Sequence, residues 1–62
     1  MASSIHIVEI EEGARQMILM ALAHLSLKRP GFDYALNSIA SQIDNVVDGR
    51  SQTYDRFREL ET

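Results

Sequence analysis

The chain has 62 residues, nine acidic against six basic for a formal charge of −3, and no cysteine. That length admits one domain, which buries only about 60% of its unfolded surface and so calls for disulfides, a metal or self-association as support. Disulfides and thiolate metal sites are excluded, and His6 and His24 lack the clustered spacing of a zinc site, which leaves self-association.

The acidic balance disfavours a free-standing nucleic-acid binder, which normally shows a basic surplus on one face. No stretch reaches the roughly 18 continuous apolar residues of a membrane span. The opening MASSIHIVE lacks a basic start and a long apolar run, so it does not read as a secretory signal. A cytoplasmic location is expected.

Residues 1–10 are expected to form a short strand or extended arm, because SIHIVEI is β-branched and bounded by serines and acids. No second strand is expected elsewhere in the chain, so its edge would need the same strand from another copy.

A helix is predicted over 11–28. Glu11 and Glu12 open it and Lys28 closes it, with Arg29 just beyond, matching the macrodipole at both ends. At 100° per residue, Ala14, Met17, Ile18, Ala21, Leu22 and Leu25 form one apolar arc, while Leu19, Met20, Ala23 and Leu27 populate the opposite side. A helix apolar nearly all round needs cover nearly all round. One side is therefore expected to pack within the protomer and the other, carrying Leu19, Met20, Ala23 and Leu27, against a second copy.

Arg29-Pro30-Gly31 breaks that helix. A second is predicted over 32–47, with Phe32, Ala35, Leu36, Ile39, Ala40, Ile43, Val46 and Val47 on one arc and Gly49 as its stop. The two should form a helical hairpin. A third short helix is predicted over 51–60, capped by Ser51 or Thr53, with Tyr54, Phe57 and Leu60 as a narrow apolar stripe.

The candidate ligand-binding groups are Lys28, Arg29, Tyr34, Arg50, Tyr54, Arg56 and Arg58. Lys28 and Arg29 adjoin a helix start that favours negative charge. The tail arginines interleave with Tyr54 and Phe57, so that an aromatic can stack on a base while a guanidinium grips phosphate. The plainer alternative is that these arginines pair with Asp55, Glu59 and Glu61. No catalytic residue, metal site or cofactor is expected: none of the serines has a histidine at a supporting spacing. The strand lacks the Arg, Lys, Asn and Gln needed to read bases, and the second helix would turn Asp33 and Asp44 toward phosphates with no Lys or Arg, so DNA is disfavoured as a partner. The polar face of the second helix lacks the Lys and Arg of a membrane-surface helix.

KRPGFDYALNSIASQIDN followed by DGRSQTYDRFREL resembles a set of short, mostly uncharacterised bacteriophage and prophage proteins, which carry an Arg-Pro-Gly-aromatic-Asp turn before a helix reading Ala-Leu-x-x-Ile-Ala. The similarity covers roughly residues 27–60 and brings no catalytic residues with it. It implies a phage accessory protein that counters host defence by occupying a host protein or sequestering a nucleotide signal.

The sequence thus predicts a mainly α domain, a helical hairpin with a short third helix and an N-terminal strand or arm, assembled as a homo-oligomer. Its expected function is non-enzymatic sequestration of a host-defence component, an anionic nucleotide messenger being preferred to a protein target. The order strand, helix, turn, helix also resembles ribbon-helix-helix proteins, which makes a small transcriptional regulator or antitoxin the alternative.

Overall fold

The computed structural model describes residues 10–62, so the arm expected over 1–10 lies outside the described residues apart from Ile10. The described chain runs α1 (Glu12–Lys28), a single 3-10 turn (Pro30–Phe32), α2 (Asp33–Ala40), β1 (Val46–Val47), β2 (Arg50–Ser51) and α3 (Gln52–Glu61). The mainly helical class is as expected.

α1 starts on Glu11, whose carbonyl accepts the Arg15 amide at 3.0 Å. Glu12 bonds to Arg15 and Gln16 along the first turn, and Lys28 supplies a base in the last turn. The helix ends where Pro30 forces Arg29 out of helical geometry, to φ −130° and ψ 77°. The Arg29 amide still bonds to Leu25, and the Arg29 carbonyl accepts from Phe32 to launch the next turn.

α2 is half the predicted length. It stops at Ala40, where i→i+3 bonds from Gln42 to Ile39 and from Ile43 to Ala40 tighten the backbone. Beyond them, Val46 and Val47 are β-branched and stand before Asp48-Gly49, both at positive φ (55° and 79°). Two positive-φ residues between short strands are the mark of a two-residue hairpin turn. Val46 pairs with Ser51 and Val47 with Arg50, antiparallel. The expectation of a helix to residue 47 and of no second strand is therefore corrected. Gly49 serves a β-turn and not a helix stop.

α3 begins where the sequence placed it, and Ser51 is the cap: its Oγ accepts the Tyr54 amide at 3.1 Å. Asp44 reinforces that end from across the chain. It accepts from Ser51 Oγ at 2.7 Å, the Thr53 amide at 2.8 Å and Thr53 Oγ1 at 2.9 Å.

The core is small: Leu19, Ala23, Leu36, Ala40 and Tyr54 are buried, with Leu22, Ile43 and Phe57 packed at its edge. α1 packs against both other helices, and more extensively against α3 than α2. The third helix is thus a full member of the core, which explains how about ten residues hold a helix that would not persist alone in water. Buried Ser26 returns its hydroxyl to the Ala23 carbonyl. Buried Asn37 accepts the Ser51 amide at 3.4 Å.

Leu19 is fully buried and Tyr34 is 81% exposed. Leu19→Ala is therefore expected to cost about 3 kcal/mol in urea unfolding, and Tyr34→Ala less than about 0.5 kcal/mol. Equal costs would contradict this core.

Candidate functional site

Two of the tail arginines and one tyrosine named from the sequence converge, but on an acid. Asp33, at the start of α2, accepts the Tyr54 hydroxyl at 2.8 Å. Arg50 Nη2 reaches both of its oxygens at 3.3 Å, and Arg58 Nη1 lies 3.2 Å from Oδ1. Arg50 also grips Asp55 in a fork, through Nε at 3.0 Å and Nη2 at 2.9 Å. The Arg58 guanidinium lies 6.0 Å from the centre of the Tyr54 ring, the outer limit of a cation–π contact. This network ties α2, β2 and α3 together around one carboxylate.

The electrostatics follow from that geometry. Burial alone would raise Asp33, but the Tyr54 hydroxyl bond and the two arginines hold its carboxyl below the ordinary range. Asp44 behaves alike: burial is outweighed by its bonds to Ser51, Thr53 and the backbone. Burial, together with the neighbouring Asp33 charge, pushes the Tyr54 phenol up. Hydrogen bonds donated to Asp55 and Asp33 hold Arg50 firmly protonated.

Tyr54 is completely buried, so the expectation that it stacks on a ligand is corrected. Arg50 and Arg58 are half-buried in ion pairs within the protomer, of the kind the plainer reading anticipated, though with Asp33 as well as Asp55. Lys28, Arg29, Tyr34 and Arg56 stand exposed. The first two flank the break after α1, Tyr34 lies in the first turn of α2, and Arg56 lies in the middle of α3.

Arg56 lines a groove of about 350 Å³, together with Gln16, Asn45, Gln52, Thr53, Phe57 and Leu60. Its lining offers three amides, one cation and the apolar side chains of Phe57 and Leu60. Sequence reasoning missed it because Gln16, Asn45 and Gln52 come from three separate segments. The nearby N-terminus of α3 is already satisfied by Asp44, so its amides do not invite an external anion. A second hollow, about 310 Å³, is lined by Met17, Met20, Ala21, His24 and Glu61. At its rim His24 Nδ1 lies 2.8 Å from Glu61 Oε1, joining α1 to the end of α3.

The two sides of α1 are exchanged relative to expectation. Leu19 and Ala23, assigned to a second copy, are fully buried in the protomer, and Leu27 is half-buried. Only Met20 of that set is exposed. The opposite arc, expected inside, leaves Met17, Ile18, Ala21 and Leu25 in the open. The reason is α3, which covers the Leu19 side and which periodicity within α1 alone does not reveal.

Among the described residues, no three His, Asp or Glu side chains gather as metal ligands, and no helix is long and apolar enough to cross a membrane. Comparison with known protein families, curated proteins and solved structures finds no match to the chain.

Asp33 and Asp44 bind protons less readily folded than unfolded, so the stability they contribute is complete above about pH 4 and is lost as pH falls through their depressed native values. Denaturant unfolding from pH 7 to pH 2 is expected to show that decline. Asp33→Asn and Asp44→Asn should each lower stability at pH 7 and flatten the acid limb. An unchanged slope would contradict the assignment.

Proposed function

We propose that the chain is a non-enzymatic binding protein that self-associates and sequesters a host-defence component, with a protein target favoured over an anionic nucleotide. The phage setting rests on the resemblance of residues 27–60 alone. The observation that carries the preference is the distribution of exposed apolar side chains over all three helices. Met17 is 71% exposed, Tyr34 81% and Leu60 72%, and Phe32 and Ile39 stand about half exposed between them in sequence. So much apolar surface on so small a chain suits contact with other polypeptides. The preference reverses the sequence expectation because Arg50, Arg58 and Tyr54, needed for a phosphate-and-base grip, are held inside the protomer.

An anionic nucleotide is the second reading, and Arg56 favours it. That exposed guanidinium adjoins Phe57 in a groove that also offers Gln16, Asn45 and Gln52 as amide partners, a set able to hold one base and one phosphate. The ribbon-helix-helix alternative has no comparable support, since the strand it requires lies outside the described residues.

Native mass spectrometry of the protein purified from bacterial cells separates these readings. A homo-oligomer holding a polypeptide is expected, and replacing Lys28, Arg29 and Arg56 with alanine should leave that capture intact. A bound mass of nucleotide size, lost with Arg56→Ala, would overturn the preference for a protein target.

A further inference from the structure

The side of α1 turned away from the core carries Ala14, Met17, Ile18, Ala21 and Leu25 and runs out at Lys28. We propose that a second copy of the chain covers this face, its α1 laid antiparallel to the first, so that two α1 helices form the centre of a two-fold dimer. The inference deepens the self-associating reading above and rests on it.

Spacing is the first support. Ala14, Ala21 and Lys28 recur every seven residues and so follow one line along the helix. Two alanines on that line leave room for close approach of a second helix, since interaxial distance follows the side chains at the contact. Ile18 and Leu25, also seven apart, flank the line on one side, and Met17 flanks it on the other.

A two-fold interface must be complementary to itself, and this face is so in size. An axis passing between residues 19 and 20 sets Ala14 opposite the partner's Leu25 and Ala21 opposite the partner's Ile18. Ile18 and Leu25 then each meet an alanine, which suits close packing. The hollow beside Met17, Met20 and Ala21 extends the apolar surface toward α3, and unbranched methionines adapt readily to what they meet.

Charge selects the direction. The same register brings exposed Glu11 toward the partner's Lys28 and Arg29 at both ends of the pair. A parallel pair would stack Glu11 on its own copy, and Lys28 likewise. Opposed helix dipoles favour the same choice. At about 1.5 Å per residue α1 is about 25 Å long, and one helix face of that length is at the small end of specific interfaces. Dissociation in the micromolar range is therefore expected.

Sedimentation of the intact chain across the micromolar range, beside Ala21→Glu, tests the face. Ala21 is exposed, so the variant should keep its circular dichroism and cooperative melt while its dimerisation weakens at least tenfold. Direction is tested by single cysteines, because the chain has none of its own. Mixed Ala14→Cys and Leu25→Cys proteins should form the 14–25 disulfide in preference to 14–14 or 25–25. A dimer indifferent to Ala21→Glu, or 14–14 links in excess, would overturn this arrangement while leaving self-association standing. A wild-type chain that stays monomeric throughout would remove both.

Discussion

A buried phenol must give its hydroxyl proton to something, and in this protein that something is Asp33. Tyr54 is the largest fully buried side chain among the described residues, and an unpartnered hydroxyl at its position would cost about 1–3 kcal/mol. The 2.8 Å bond to Asp33 removes that penalty and places a carboxylate at the start of α2. The carboxylate in turn needs countercharge, which Arg50 and Arg58 bring from β2 and α3. One aromatic thereby fixes where three later elements sit against α1. With only five buried hydrophobic side chains among the described residues, the fold depends on such polar ties more than a larger domain would.

That dependence reshapes the functional reading. Arginines beside aromatics in a sequence look like a grip for phosphate and base, yet the same residue types satisfy an internal acid. Asp33 and Asp44 were the overlooked residues. Each sits where a helix start or a loop acid reads as ordinary solvated charge, and each holds distant backbone or side chains together instead. What stays exposed among those candidate groups is Lys28, Arg29, Tyr34 and Arg56, together with large apolar side chains such as Met17, Phe32 and Leu60.

Much of the architecture was legible in local signals. The Arg29-Pro30 stop, the helix over α1 and the Ser51 cap each rest on chemistry within four residues of the position concerned. The hairpin was legible too, since Asp48-Gly49 between Val46-Val47 and Arg50-Ser51 is a turn signal. It was obscured because Val46 and Val47 also continue the apolar arc of α2. The orientation of α1 was not legible. Its two sides are both apolar, and the choice between them is made by α3, whose Tyr54 and Phe57 lie more than thirty residues further along. The Arg56 groove was hidden for the same reason.

The central claim is that the charged and aromatic groups of the tail build the fold. A double-mutant cycle on Tyr54→Phe and Asp33→Asn, measured by urea unfolding at neutral pH, tests it most directly. A coupling of about 1 kcal/mol or more is predicted for a hydroxyl bonded to a charged, partly buried carboxylate. Strictly additive effects would mean that Tyr54 and Asp33 act independently, and would contradict the account.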